Sequence, residues 1–186
     1  YKLIKKYKPS LSFGFGGYVS VGPSIASYLL SVPLMVHEQN AVVGTANRIN
    51  YYFAKRIYET FPLSFKKNNI KIIHTGNPVR PSFDKVSNPE YKYNDSNTSI
   101  NILVMGGSQG AAFLNNTMPF AFSHFHNTNV SIKHISGPNH AGSVKNKYLK
   151  YSIDATVITY SNSIDKLYDW ADLVICRAGS TSISEL

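Results

Sequence analysis

One stretch predicts the fold of the second half of the chain: Ile102-Leu103-Val104-Met105-Gly106-Gly107-Ser108-Gln109-Gly110. Its apolar first part is typical of a buried strand, and residues 111–122 after it are typical of a helix. A glycine-rich turn between a strand and a helix leaves backbone N–H groups unpaired at the positive end of the helix. We therefore expect a phosphate or a nucleotide diphosphate at this turn, with Ser108 as its hydroxyl contact. The turn matches neither the dinucleotide nor the P-loop motif, so a tight turn without a ligand is the alternative.

The composition indicates a globular protein with an anionic partner. Of the 186 residues, 43% are hydrophobic and 16% are charged, and the net charge is +9. This excess of positive charge favours a nucleotide, a phospholipid surface or a nucleic acid. Nucleic acid is the weakest of the three, because the aromatic residues are scattered and not interleaved with basic residues in one block. The single cysteine, Cys176, excludes an intrachain disulfide.

Segments typical of strands alternate with segments typical of helices on both sides of a polar segment. This alternation predicts right-handed βαβ units and parallel sheets, and thus an α/β chain with two Rossmann-like domains. We place the C-terminal part of the first domain at 1–79, an interdomain junction and surface loop at 80–99, and the N-terminal part of the second domain at 100–186. In the first domain we expect a helix from Pro23 to Leu30, with the proline in its first turn.

Both ends of the sequence favour an internal piece of a longer protein, with two incomplete domains. The chain begins with Tyr1, and Ser182-Ile183-Ser184-Glu185 near its end forms a capping box, which normally starts a helix.

Polar clusters follow the predicted strands, and each has two interpretations. His37-Glu38-Gln39-Asn40 is either a hydrogen-bonded loop or a ligand-facing rim, and the lack of a second ligand at usable spacing disfavours a metal site. Arg80 is either a surface residue or a phosphate ligand, because its guanidinium fork suits phosphate oxygens. Glu185 either completes the capping box or accepts hydrogen bonds from a ribose.

Five blocks, taken together and in this order, resemble the MurG family of bacterial N-acetylglucosaminyltransferases. They are residues 14–20, 37–41, 76–80, 106–111 and 171–179. The resemblance implies a GT-B fold and an inverting, metal-independent reaction with no cofactor. In that reaction, N-acetylglucosamine passes from UDP-N-acetylglucosamine to lipid I, the undecaprenyl-diphosphate-linked muramyl-pentapeptide, and forms lipid II. The implied setting is peptidoglycan synthesis, and through it cell wall biogenesis, cell shape and cell division, on the cytoplasmic face of the bacterial cytoplasmic membrane.

The resemblance also implies two sets of site residues. On the UDP-sugar it places Asn40, Arg80, Ser108, Ser161, Ser180, Thr181, Ser182 and Glu185. Near the acceptor diphosphate it places Gly16, Gly17, Tyr18 and Ser20. Ser161 departs from the family, which usually has an apolar residue there whose backbone contacts uracil. The family's histidine base falls upstream of Tyr1, so we expect the 186 residues alone to be inactive and do not assign this role to His37.

Two other functions remain open from the sequence. One is a different nucleotide-sugar glycosyltransferase, or an epimerase, on the same two-domain scaffold. The other is a module that binds a nucleotide or a nucleic acid without catalysis.

Overall fold

The computed structural model is an α/β protein, and it describes residues 1–67, 69–87, 99–107, 109–125 and 129–186. The chain forms two compact units, Tyr1–Pro78 and Val79–Leu186. Each unit contains one four-stranded sheet in which every strand pair is parallel. Within the described ranges, no helix is both long enough and apolar enough to cross a membrane.

The first unit has the strand order β1-β2-β3-β4. Its elements are α1 (Lys2–Tyr7), β1 (Ser12–Gly14), α2 (Tyr18–Leu29), β2 (Leu34–Glu38), α3 (Thr45–Phe53), β3 (Arg56–Glu59) and β4 (Ile72–His74). Val36 on β2 pairs with Ile57 on β3, and both side chains are fully buried. They form the centre of an apolar core with Leu34, Val43 and Phe65. Burial of each large apolar side chain contributes about 1.5–3 kcal/mol, which fixes the register of the two central strands.

The predicted start of α2 is wrong. The helix begins at Tyr18, directly after Gly17, so Pro23 lies inside the helix and not in its first turn. The reason is the positive φ of Gly17, 75°, which turns the chain into the helix earlier than the proline suggested. Proline removes one backbone donor from the helix. The next residue after Pro23, Ser24, donates its hydroxyl proton to the carbonyl of Ser20 within the same helix.

The second unit has the strand order β7-β6-β5-β8. Its elements are a 3₁₀ helix (Pro81–Lys85), β5 (Ile100–Met105), α4 (Ala112–Phe122), β6 (Val130–Ile135), α5 (Ala141–Lys150), β7 (Ala155–Ile158), α6 (Ile164–Trp170), β8 (Leu173–Cys176) and α7 (Ser180–Glu185). The order of the strands reverses at β5, because β6 pairs with one of its edges and β8 with the other. Such a reversal opens a crevice at the carboxyl ends of the two strands, where α/β sheets bind ligands.

Both faces of the inner strand β5 are covered. Ile102 and Val104 on β5 pack into one apolar cluster, which includes Val144 of α5. Leu103 and Met105 pack into a second cluster on the other face, with residues of α6. This alternation along one strand is the period of two that a strand requires, and burial on both faces is typical of parallel sheets.

The capping box predicted at residues 182–185 is wrong. Helix α7 begins at Ser180, with Gly179 as the residue before it, so Ser182 lies inside the helix. Glu185 therefore has no helix start to cap, and its carboxylate contacts Arg80 instead. A four-residue motif cannot indicate a contact with Arg80, which lies 105 residues away in the sequence.

Candidate functional site

The carboxyl edge of the second sheet brings together the turns that follow β5 and β8. Gly107 and Gly110 have φ values of 87° and 77°, and the N–H of Gly110 donates to the carbonyl of Gly107 at 3.0 Å. Non-glycine residues rarely adopt such angles, so the two glycines fix the turn at the start of α4. Ser108 lies outside the described residues, and its contact with phosphate stays a prediction.

Arg80 and Glu185 meet in the second unit. One guanidinium nitrogen of Arg80, Nη2, donates to Oε1 of Glu185 at 2.9 Å. The Arg80 side chain is 55% exposed, whereas that of Glu185 is only 7% exposed. A mostly buried carboxylate is thus paired with a cation that has much of its surface in solvent. Such a cation has donors available for an anionic ligand.

Tyr168 of α6 lies beside this pair. Burial and then the neighbouring charge of Glu185 raise the pKa of Tyr168 to about 12, with a smaller contribution from Cys176. Ser182 and Arg80 act in the opposite direction and lower this pKa. The ring of Phe83 packs against Tyr168 at 5.4 Å between centroids, and the Arg80 guanidinium lies 5.2 Å from the Phe83 centroid. The structure therefore brings three of the predicted donor residues, Arg80, Ser182 and Glu185, around one buried tyrosine.

The remaining predicted donor residues of the second unit follow other strands of the same sheet. Ser161 comes after β7, and its hydroxyl oxygen accepts the N–H of Ser163 at 3.1 Å. Ser180 and Thr181 form the first turn of α7, which follows β8. Because all four strands are parallel, these residues share the carboxyl edge with the turn after β5. The role of Ser161 toward uracil stays a prediction.

A pocket of about 400 Å³ lies in the first unit, where β1 and β2 end. Three of the four predicted acceptor residues line it, and so does Asn40: the set is Gly16, Gly17, Tyr18 and Asn40. Two helices begin at this pocket, α2 after Gly17 and α3 after Gly44. Helix N-termini attract anions through their unpaired N–H groups and their dipoles. The structure thus places Asn40, which we predicted on the UDP-sugar, beside the predicted acceptor loop.

Ser20 is the fourth of the predicted acceptor residues, and it forms hydrogen bonds to Gly17 and to Asn50 of α3. Its hydroxyl donates to the carbonyl of Gly17 at 2.8 Å and accepts the side-chain amide of Asn50 at 3.0 Å. Gly16 has a φ of 79°, and a Cβ at this position would lie 3.0 Å from Nδ2 of Asn47. The predicted acceptor loop is therefore packed closely against α3 and depends on glycine at residue 16.

Glu38 organises the opposite wall of the pocket. Its Oε1 accepts the backbone N–H and the side-chain amide of Asn40, both at 2.9 Å. Its Oε2 accepts the N–H of Gly44 at 3.1 Å and the amide of Asn47 at 2.9 Å. With only 1% of the residue exposed, the carboxylate is satisfied entirely by protein donors. The structure shows the hydrogen-bonded loop that was one interpretation of residues 37–40, and a contact of this segment with a ligand stays a prediction.

His37 is part of the same internal arrangement. Its Nε2 lies 3.1 Å from the carbonyl of Gly76, which can only accept, so Nε2 carries the proton. Its Nδ1 lies 3.1 Å from the amide nitrogen of Gln39, which donates to it. Both ring nitrogens are thus engaged. In the described part of the chain, no group of three or more His, Cys, Asp or Glu residues is placed to hold a metal ion.

A buried polar network in the second unit was missed by the sequence analysis. It joins Tyr148 on α5, His134 on β6 and Asn115 on α4, all at most 3% exposed. The ring of His134 lies 3.0 Å from the Tyr148 hydroxyl and 3.0 Å from Oδ1 of Asn115. The one feature of the sequence that indicates such a network is a histidine, His134, within the largely apolar strand 130–135. Burial lowers the pKa of His134 to about 4.

Acidification is expected to destabilise the second unit through His134. The unfolded imidazole binds a proton near pH 6.5, whereas the folded one stays neutral until about pH 4, so up to about 3 kcal/mol is lost. The loss begins as the pH falls through about 6.5 and is complete below about 4. Tyr148 and Asn115, the side chains that hydrogen-bond the ring, add no charge there, since burial raises the pKa of Tyr148.

Urea unfolding of the intact protein at about pH 7 and about pH 4.5 measures this effect. The variant His134→Gln removes the titrating group and serves as the comparison. We expect a smaller loss of stability on acidification in the variant, and an equal loss would contradict the assignment.

Comparison with known proteins supplies the family. The model of the glycosyltransferase family 28 C-terminal domain matches residues 101–186, and that of the family 28 N-terminal domain matches residues 1–59. The two matches together include most of the chain, in the order in which the two units occur. The chain belongs to glycosyltransferase family 28. This match confirms two predictions. The family is one of glycosyltransferases, and the fold is the GT-B fold with two Rossmann-like domains.

Two curated relatives of the chain share one name. The chain is 41% identical over 189 residues to the UDP-N-acetylglucosamine--N-acetylmuramyl-(pentapeptide) pyrophosphoryl-undecaprenol N-acetylglucosamine transferase of Pseudoalteromonas translucida (strain TAC 125), covering 100% of the chain and 51% of that protein. It is 40% identical to the transferase of the same name from Psychromonas ingrahamii (99% and 51%). The crystal structure of Acinetobacter baumannii MurG has a TM-score of 0.76 at 30% identity (99% and 51%). The predicted resemblance to MurG is confirmed, and the chain spans about half the length of the relatives it matches.

A more distant comparison concerns the fold alone. The UDP-GlcNAc 2-epimerase from Neisseria meningitidis, bound to UDP-GlcNAc, has a TM-score of 0.65 at 12% identity. It covers 99% of the chain, and the chain covers 58% of it. At this identity the likeness indicates a shared two-domain scaffold and carries no argument about the reaction.

Proposed function

We propose that the intact protein transfers N-acetylglucosamine from UDP-N-acetylglucosamine to lipid I and so forms lipid II in peptidoglycan synthesis. The observation that carries the proposal is the identity of about 40% to transferases of that name over the whole chain. The reaction we propose is inverting: a hydroxyl of the lipid-linked sugar gives up its proton to a general base and attacks the anomeric carbon, while UDP leaves from the opposite side. It needs no metal, because protein cations and N–H groups stabilise the departing diphosphate.

The donor half of this proposal uses the second unit. Arg80 contacts the diphosphate, and Glu185 accepts hydrogen bonds from the ribose hydroxyls. Their contact at 2.9 Å supports the assignment, because it puts a phosphate ligand and a ribose ligand within the span of one nucleotide. The turn at residues 106–110, including Ser108, and the start of α7 at Ser180, Thr181 and Ser182 complete the donor site. Ser161 meets the uracil through its backbone.

The acceptor half uses the pocket of the first unit. Its volume of about 400 Å³ and the two helix N-termini at Gly17 and Gly44 suit a diphosphate. Asn40 lines this pocket, and we propose that it also contacts the UDP-sugar. We do not assign the general base to His37, since both of its ring nitrogens are engaged.

The surface of α1 supports a peripheral position on an anionic membrane. This helix has no buried residue and carries Lys2, Lys5 and Lys6 beside apolar side chains. Leu3 and Tyr7 are 70% and 69% exposed. Basic residues next to exposed apolar ones favour a headgroup surface, where the lipid acceptor resides. We propose the cytoplasmic face of the bacterial cytoplasmic membrane.

Radiolabelled UDP-N-acetylglucosamine and a lipid I analogue, mixed with the intact purified protein, test the reaction. We expect labelled lipid II and one UDP released for each sugar transferred, with activity retained in a chelator. Epimerisation of the sugar without an acceptor would favour an epimerase instead. Binding of UDP with neither product would leave only a nucleotide-binding module, and either outcome overturns the proposal.

A further inference from the structure

The network of Tyr148, His134 and Asn115 has one allowed arrangement of protons. The amide of Asn115 donates to the carbonyl of Ser136 at 2.9 Å, and a carbonyl can only accept. Oδ1 of Asn115 must then face His134, whose Nε2 carries the proton. The other ring nitrogen accepts the hydroxyl proton of Tyr148. Each donor in this network therefore has a defined acceptor. Because the carbonyl of Ser136 can only accept, it fixes the direction of all three hydrogen bonds.

The carbonyl at the end of this network lies against the glycine turn. A Cβ on Gly110 would lie 2.0 Å from the carbonyl oxygen of Ser136, and one on Gly137 would lie 2.3 Å from the carbonyl of Gln109. Ser136 itself is completely buried, and its N–H donates to Ile158 at 2.9 Å. The two loops are thus in direct backbone contact. A shift of the Ser136 carbonyl has no space to occur without a shift of the turn.

Asn115 also fixes the helix that follows the turn. It lies in the fourth position of α4, and its N–H donates to the carbonyl of Ala111 at 2.8 Å. One side chain therefore links the first turn of α4 to the end of β6. Anion binding by backbone N–H groups depends on their direction, so a link of this kind reduces the cost of ordering them when a ligand binds.

We propose that Asn115, held by His134 and Tyr148, is a positioning residue for the donor diphosphate. It fixes the turn around Gly107 and Gly110 before the nucleotide arrives. None of the three side chains touches the ligand in this account. The inference rests on the proposed function, since it takes the turn as the diphosphate site.

Paired substitutions in the intact protein test this role. Asn115→Leu keeps the shape of the side chain and removes both of its hydrogen bonds. Asn116→Leu is the matched control, because it makes the same change at the next, exposed residue of α4. Tyr148→Phe removes only the hydroxyl at the far end of the network, so it provides a second variant if Asn115→Leu does not fold.

We expect Asn115→Leu to raise the Kd for UDP and the KM for UDP-N-acetylglucosamine about tenfold, and Tyr148→Phe to raise both about threefold. The KM for the lipid acceptor and the values of Asn116→Leu stay near those of the parent. A purely structural role would lower the amount of active protein and leave the donor KM and the Kd unchanged, which would overturn the inference. A parent that binds UDP without transferring sugar would overturn the proposed function, while the Kd series would still decide the role of Asn115.

Discussion

Replacing Arg80 with alanine is expected to weaken binding of UDP-N-acetylglucosamine by the intact protein about 100-fold. Two losses add together in this variant. The diphosphate loses a guanidinium, which makes strong, charge-assisted hydrogen bonds with phosphate oxygens. Glu185, whose side chain is only 7% exposed, loses its cation and remains as an uncompensated negative charge close to a dianionic ligand. Isothermal titration calorimetry measures the change directly.

The affinities of Arg80→Ala for uridine and for UDP show whether the variant loses a phosphate contact or has a generally damaged site. Uridine has the ribose and the base but no diphosphate, so we expect Arg80→Ala to weaken uridine binding far less than UDP binding. Arg56→Ala serves as the control variant, because Arg56 is an exposed arginine of the first unit whose guanidinium contacts the carbonyl of Ile70. Equal losses for uridine and UDP, or an unchanged affinity for UDP, would contradict the assignment of Arg80 to the diphosphate.

The predictions that succeeded from sequence rest on short-range patterns. The strand predicted at residues 102–105 is confirmed as part of β5, as is the helix after the glycine turn, because an apolar run, a turn and a helix are encoded within about 20 consecutive residues. The predicted parallel sheets follow from the same alternation. The start of α2 was wrong because the positive φ of Gly17 outweighed the usual place of a proline.

Contacts between distant segments had no such signal. Arg80 and Glu185 are 105 residues apart, and the local motif around Glu185 indicated a capping role that the structure does not have. The same holds for His134, which reaches Asn115 and Tyr148 only because two helices pack on the same face of β6. A polar residue in a buried strand indicates that some partner exists. The identity of that partner requires the tertiary structure.

Replacing Glu38 with glutamine is expected to reduce the free energy of unfolding by about 3 kcal/mol. The carboxylate accepts four hydrogen bonds, two on each oxygen. Glutamine has the same shape but only one acceptor oxygen, so its NH₂ group must face two buried donors, either those of Asn40 or those of Gly44 and Asn47. Each buried donor left without an acceptor costs about 1–3 kcal/mol. Urea unfolding of the intact protein at neutral pH measures the loss.

Glu59→Gln is the matched control for Glu38, because it removes the same charge from another buried glutamate of the same sheet. Oε1 of Glu59 accepts the N–H of Leu63 at 2.9 Å, and its Oε2 has no hydrogen-bond partner among the described residues. A glutamine oxygen can keep the one bond, so we expect a cost within about 1 kcal/mol. Equal costs for the two variants would mean that the lost charge, and not the four donors, accounts for the effect of Glu38→Gln. Since those donors form one wall of the proposed acceptor pocket, a larger cost for Glu38→Gln should come with a higher KM for the lipid acceptor.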